Sequence, residues 1–419
     1  MERVRHLGQR ALLYVIVPLL LLSVGFASGV AADRSLLLTE VPAQAAPDVP
    51  SSFNVFWQAW DLVQKHYVDR SALDPVKMTY GAIEGMLVSL GDVGHTRFLS
   101  PQDLKLEQQS LSGELEGIGA EIEVRDGLPV VVAPIPDSPA QKAGIRAGDI
   151  ILRVDGKDVS NWSVDEVVSV VRGTPGTRVT LSVIHKGDTN VTDITITRAK
   201  ITIPSVTWAM LPGTKVAHVL VSSFADNANE QLVAALKAAK SQGATGVILD
   251  LRNDPGGIRD EAVAVASQFL KEGNVLIQQD AAGKRTEFAV QPGGIATDIP
   301  LAVLINEGTA SSAEIVAGAI QDHHRGTLVG KTTFGTGTVL TSFQLSDGSA
   351  ILLGTEEWLT PSGRQIWHHG IQPDIEVALS ADVTPLTPSQ EVGFSAQQLA
   401  ASGDAQLLRA LKELSPASP

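Results

Sequence analysis

The chain has 419 residues, too many for one compact domain, so two or three are expected. Its net charge of -14 excludes the basic surface that nucleic acid requires as a partner. With no cysteine there can be no disulfide framework, thiolate nucleophile or zinc–thiolate site, and the nine histidines form no HExxH pair, so neither a metal nor another cofactor is expected.

The N-terminus opens with Arg3, Arg5 and Arg10, and Ala11 to Ala32 then runs without a charge until Asp33. That run is long enough to cross a bilayer core as a helix, and the basic flank would stay on the cytoplasmic side. Residues 1–32 therefore read as a membrane anchor or a signal peptide. The absence of a clear A-x-A site favours the anchor. Either way the remainder would be extracytoplasmic: held at the cytoplasmic membrane by the helix, or secreted after cleavage. Residues 33–52 contain the Pro/Ala-rich stretch Val41–Pro50 and read as a linker. Residues 53–110 have helical spacing, with Phe53, Phe56, Trp57, Trp60 and Val63 on one stripe. Such a stripe serves a core or a partner helix and permits pairing of protomers as a homo-oligomer.

Residues 111–200 switch to short strands punctuated by Gly and Pro. From 201 to 380 buried strands alternate with helices. Strands are expected at Ala217–Val221, Gly246–Leu251, Leu301–Ile305 and Thr327–Val329, and helices at Asn229–Lys240, Arg259–Leu270 and Ser312–Gln321. Strand–helix alternation implies an α/β layer structure, so the chain as a whole reads as multidomain α/β plus α+β. The tail, 381–419, is rich in Pro and Ser, with one helix expected at Ala405–Leu414.

Within the β-rich segment, SPAQKAGIRAGDIILRVDGKDV (Ser138–Val159) resembles a PDZ domain. Gly144 and Gly148 permit tight turns, Ile150–Val154 supplies a buried strand, and Asp155-Gly156 turns it into a hairpin. Ser163–Arg172 reads as a helix closed by Gly173. Upstream, Gly117-Ile118-Gly119-Ala120 looks like the family's carboxylate-binding loop. The resemblance implies capture of protein or peptide substrates by their free C-termini, the peptide adding a strand to the sheet edge. Taken alone, these glycines need only shape a turn.

The stretch LAVLINEGTASSAEIVAGAIQDHHRGTLVGKTTFGTGTV (Leu301–Val339) carries the chemistry. A buried strand ends in a Gly-containing turn and opens a helix at Ser311 or Ser312. A hydroxyl there lies in the positive field of free N–H groups. Ser311-Ser-Ala-Glu314 also fits a helix capping box, which needs no catalysis. Together with GVILDLRNDPGGI (Gly246–Ile258) and LTPSGRQIWHHGIQPDIEV (Leu359–Val377), this stretch resembles the carboxy-terminal processing, or tail-specific, peptidases. These are S41-type serine proteases with a PDZ domain and a ClpP/crotonase-like α/β core. The resemblance covers about residues 53 to 380. It implies Ser311 as the nucleophile, the backbone of Ser312 as one oxyanion donor, and Gly256 or Gly257 as the other. One such donor is typically worth ~10²–10³ in rate. Asp322 matches an acidic family position, and its plain alternative is a helix-end carboxylate.

The chain departs from the family at the general base. The expected Lys lies in an F-G-K-G-[ST]-V run, which here is Phe334-Gly335-Thr336-Gly337-Thr338-Val339. A threonine hydroxyl at 336 has no useful basicity near neutral pH. Leu340 stands where the family often has a supporting Gln. Lys331 is five residues upstream, up to ~17 Å along extended chain. His323 and His324 lie at the far end of the helix that Ser311 opens, ~18 Å away. A Ser–His arrangement through His368 or His369 rests on residue type alone. Two readings follow: a serine endopeptidase with a rearranged base, or a pseudoprotease that binds C-terminal peptides or acts as an envelope scaffold.

Overall fold

A computed structural model describes residues 39–40, 51–92, 95–125, 127–135 and 137–414. The run 11–32 expected to meet the membrane lies outside them. Among the described residues no helix is long and apolar enough to cross a membrane. The chain forms two compact units, one built from residues 53–104 with 338–357, the other from most of the remainder.

In the first unit, helices Phe53–His66 and Pro75–Val88 lead to a short strand, Arg97–Leu99, which the sequence reading took as helical. This strand pairs antiparallel with Ala350–Leu352, part of a hairpin whose other arm is Thr338–Gln344. Leu99, Leu104, Ala350 and Leu352 form its apolar centre, and Leu340 packs against them. The side chain at 340 therefore has a packing role. The aromatic stripe on Phe53–His66 stacks on itself, Phe56 lying 5.2 Å from both Phe53 and Trp57 and 6.1 Å from Trp60. Trp57 remains 56% exposed.

In the second unit, six antiparallel strands (Ala120–Arg125, Leu128–Pro134, Ile150–Val154, Lys157–Asp158, Arg178–Ile184, Val191–Thr197) build the PDZ-like sheet. Ile151, Leu181, Val183 and Ile196 face its core together with Val167 and Val171 of the helix Val164–Val171. Ser163 and Glu166 close that helix's N-terminus as a capping box. The hairpin expected at Asp155-Gly156 is present, with φ 48° and 77°, the left-handed pair that a tight two-residue turn needs.

The remaining sheet has strand order Val206–Met210, Val216–Val221, Gly246–Asp250, Leu301–Ile305, Thr327–Gly330, Ile375–Glu376. All neighbours are parallel except the first pair. Gly246–Asp250 and Leu301–Ile305 are buried at every position, as befits parallel strands covered on both faces. Helices Ala228–Ser241, Arg259–Ser267 and Ser312–Asp322 follow the strands in turn.

The tail corrects the expectation of one helix. It also forms Pro388–Glu391 and Ala396–Ala400, and Leu399, Leu407 and Ala410 pack on Val216, Ile248 and Leu304 of the sheet. A buried charged network fixes it there. Arg252 donates to both oxygens of Asp250 (2.6–3.0 Å), to Asp404 (3.0 Å) and to Gln406 (3.2 Å). His218 bridges Asp250 at 3.1 Å and Glu391 at 2.7 Å. All of these side chains are buried.

Candidate active site

In an open parallel sheet the reactive crevice lies beyond the carboxyl ends of the strands. Three neighbouring strands deliver the candidate residues there: Gly246–Asp250 leads into Asp254–Gly257, Leu301–Ile305 into Ser311, and Thr327–Gly330 into Thr336. The turns are stitched together. Asn253 N–H donates to Asn306 Oδ1 at 2.8 Å, Thr309 Oγ1 to the Leu251 carbonyl at 2.8 Å, and Ala310 N–H to the Asp254 carbonyl at 2.9 Å. Phe334 N–H reaches the Thr309 carbonyl at 3.0 Å.

Ser311 immediately precedes the helix Ser312–Asp322 with φ 52° and ψ -119°. A non-glycine side chain in that region costs on the order of 1–3 kcal/mol and persists only where the surroundings impose it. The imposing group is Glu314. Its carboxylate accepts the N–H of Ser311 at 2.9 Å, one arm of the expected capping box, and also those of Thr336 at 3.0 Å and Gly335 at 2.7 Å, besides the Thr333 hydroxyl. The Glu314 N–H turns to the Ser311 carbonyl at 2.8 Å. Burial raises the Glu314 pKa, and these donors oppose the shift. One carboxylate thus ties Ser311, the turn at 335–336 and the helix start into a single unit.

Thr336 is buried, and its Oγ1 accepts the Ser311 N–H at 3.0 Å while hydrogen-bonding Glu314 in turn. It stands beside the nucleophile position, with its hydroxyl oxygen already accepting the Ser311 N–H. Gly335 and Gly337 flank it, with φ 88° and 62°. A Cβ on Gly337 would run into the Trp367 backbone, and one on Gly335 would stand 2.9 Å from Gly370 N. The loop 366–370 is therefore pressed against both neighbours of residue 336, and His368 N–H donates to the Gly335 carbonyl at 2.9 Å. This loop contact could not be inferred from the sequence.

Of the two glycines offered as oxyanion donors, Gly256 gives its N–H to Asp254 Oδ1 at 2.8 Å. The N–H groups of Gly257 and Ser312 have no acceptor among the described residues. Ser312 Oγ donates to the Gly257 carbonyl at 3.0 Å and so holds the two together. A Cβ on Gly256 would come within 2.7 Å of Ser311 Cβ and 2.8 Å of Ser312 N. Only glycine lets the two turns approach this closely. Asp254, missed in the sequence reading, is wholly buried and its Oδ2 has no partner among the described residues. Burial drives its pKa well up; the Gly256 N–H opposes this and Asp250 adds to it.

The other candidate bases lie elsewhere. Lys331 pairs with Glu376 at 2.7 Å, which raises its pKa and keeps it a cation. His323 holds the Asn274 carbonyl at 2.8 Å from the far end of the helix that Ser311 opens. Asp322 accepts the Ser362 N–H at 2.8 Å and pairs with Arg364, anchoring the 360–364 turn. Burial works to raise its pKa, but hydrogen bonds from Ser362 and Thr360 and the Arg364 charge bring it down.

In the PDZ-like unit, Gly117–Ala120 links a short strand pair to the sheet-edge strand Ala120–Arg125, which among the described residues pairs only with Leu128–Pro134. Ile118 is buried. The carbonyls of Ile118 and Gly119 turn inward, the first taking the Ala140 N–H at 2.8 Å and the second the Ile135 N–H at 2.9 Å and the Ser138 hydroxyl at 2.9 Å.

Comparison with known proteins agrees with this architecture. The model of peptidase family S41 matches residues 215–377 and a PDZ-domain model matches 130–184. A carboxyl-terminal-processing protease of Synechocystis is 38% identical over 76% of this chain and 75% of its own. The carboxy-terminal processing protease CtpA of Bacillus subtilis is 34% identical over 78% and 70%. Among solved structures, a putative S41 protease from Bacteroides fragilis shares the fold at 17% identity, TM-score 0.54, covering 90% of this chain and 99% of that one. A photosystem II D1 C-terminal processing protease aligns at 32% identity over 83% and 97%, with TM-score 0.47.

Proposed function

The chain belongs to the carboxyl-terminal-processing proteases of peptidase family S41, and from that premise we propose that it cleaves proteins whose free C-termini its PDZ domain has captured. Ser311 is the nucleophile. The N–H groups of Gly257 and Ser312 receive the oxyanion, and Gly117–Ala120 receives the terminal carboxylate of the substrate. The observation that carries this reading is the strained Ser311 beside two unoccupied N–H donors, an arrangement that a helix cap alone does not require. The uncharged run after Arg3, Arg5 and Arg10 supports a tether that holds the enzyme outside the cytoplasm, and the partly exposed aromatic face of Phe53–His66 supports pairing of protomers.

The test is digestion of an unfolded protein by the full-length, detergent-solubilised chain beside its Ser311→Ala variant. Cleavage should vanish in the variant, and amidating the substrate's C-terminus should slow the wild type. Equal residual substrate with both enzymes counts against the reading. Thr336 favours a second reading, a module that binds C-terminal peptides without turning them over. On that reading neither enzyme cleaves, and both bind peptide equally well.

A further inference from the structure

We propose that Asp254 is a positioning residue that works as a neutral carboxylic acid, fixing the oxyanion turn while uncharged and weakening the oxyanion site once ionised. The inference rests on Ser311 as nucleophile and on Gly257 and Ser312 as oxyanion donors. Asp254 ties the two halves of the site together. Its carbonyl takes the Ala310 N–H at 2.9 Å, next to Ser311, and its Oδ1 takes the Gly256 N–H at 2.8 Å. The Gly256 carbonyl receives the Phe224 N–H at 2.8 Å, and the Ile258 N–H returns to the Phe224 carbonyl at 2.7 Å. The Gly257 carbonyl receives Ser312 Oγ. Across 256–258 only the Gly257 N–H is then without an acceptor among the described residues. The carboxyl of Asp254 thus decides which glycine of the pair is free to meet the substrate.

The surroundings of this carboxyl do not support a charge. It is wholly buried, and its Oδ2 meets no donor among the described residues, the Ser311 hydroxyl included. The segments joined to its turn contribute mostly further acids: Asp250 on the strand before it, Asp226 after Phe224, and Glu307 and Glu314 on the segment that carries Ser311. Arg252 is committed to Asp250, Asp404 and Gln406. Arg259 and Lys331 pair with Asp260 and Glu376. A lone carboxylate buried without a cation is costly, and such a group keeps its proton instead. Burial, opposed by the Gly256 N–H and reinforced by Asp250, accordingly drives its pKa well above the usual carboxylate range.

The protonation state matters because the carboxyl is close to the reacting atoms. A Cβ on Gly256 would stand 2.7 Å from Ser311 Cβ, which puts Asp254 Oδ1, bonded to the Gly256 N–H, within ~8 Å of that atom. At ~8 Å and an effective dielectric of ~20, a negative charge opposes the developing oxyanion by about 30-fold in rate. The neutral acid supplies the same hydrogen-bond acceptor to Gly256 without that repulsion.

The experiment measures cleavage of the unfolded-protein substrate by the full-length chain, with Thr336→Lys as the parent if wild type is inert. Asp254→Ala leaves the Gly256 N–H without its acceptor and should lower kcat/KM by about 10²–10³ at every pH, the usual worth of one oxyanion donor. Asp254→Asn keeps a neutral acceptor and should rescue that loss. The parent should lose about 30-fold in kcat/KM as rising pH ionises Asp254, and Asp254→Asn should not. Infrared spectra near pH 6, where exposed carboxylates are ionised, should show a protonated carboxylic acid band that Asp254→Asn removes, whether or not the protein cleaves. The proposal is overturned if folded Asp254→Asn is as inactive as Asp254→Ala, which would make the charged form the working one. It is also overturned if the band is missing, or if the loss at high pH persists in Asp254→Asn. Cleavage that survives in Ser311→Ala, or that is absent from both parents while the band is present, would instead remove the reading beneath it.

Discussion

Ser311→Gly should abolish cleavage and yet raise stability by about 1 kcal/mol. The native backbone at 311 has φ 52° and ψ -119°, a conformation that glycine adopts freely and serine does not. Relief of that strain stabilises the folded state, and glycine's extra freedom in the unfolded chain returns part of the gain. Ser311→Ala removes the hydroxyl but keeps the Cβ, so it should lose activity at nearly unchanged stability. Denaturant midpoints of the three proteins separate strain from chemistry. A glycine variant less stable than the alanine variant would mean that the turn is not strained.

The largest loss of stability is expected from Arg252→Met. Asp250 and Asp404 would both keep their charge in the interior without the guanidinium that neutralises them, and breaking such a buried set typically costs about 3–5 kcal/mol. The loss should fall on the tail first, because Asp404 also receives the N–H groups of Leu386 and Leu407. Limited proteolysis after residue 380, read with the unfolding midpoint, would report it.

The same network sets a pH dependence through His218. Burial disfavours its charged form, but hydrogen bonds to Asp250 and Glu391 and their negative charges prevail and lift its pKa to about 9. The folded protein therefore holds a proton that the unfolded chain releases near pH 6.5. This contribution, on the order of 3 kcal/mol, is complete below about pH 6.5 and disappears as pH rises through about 9. His218→Gln should flatten the alkaline side of the stability curve, and an unchanged slope would count against the assignment.

The sequence made the parallel core legible because strands buried on both faces are uninterrupted apolar runs. Leu301–Ile305 matches the observed strand at both ends, and the strand expected at 217–221 begins one residue earlier. The strands Asn274–Asp280, Arg285–Ala289, Thr338–Gln344 and Ala350–Leu359 went unread, because they mix polar and apolar residues in sheets that polar faces can border. In the tail, the pattern Ser395–Gln398 is a legible capping box, but proline and serine content masked it. The positions of Ser311 and Thr336 followed from local pattern. No local pattern relates His218 to Glu391, 173 residues away, or the loop at 367–370 to the glycines beside residue 336.

Those two glycines have a consequence for how such a site can change over generations. Their backbones, pressed on the loop 367–370, fix where residue 336 stands whatever side chain it carries. Selection can therefore exchange the group at 336 without displacing the turn that carries it, at the expense of the hydrogen bond that the Thr336 hydroxyl accepts from Ser311 N–H. Loss of a proton acceptor there would leave the peptide-binding domain unaltered, and its return would need one substitution on a backbone that is already in place. A lineage can thus pass between cutting and merely holding its targets by a single step at a position whose surroundings are already built.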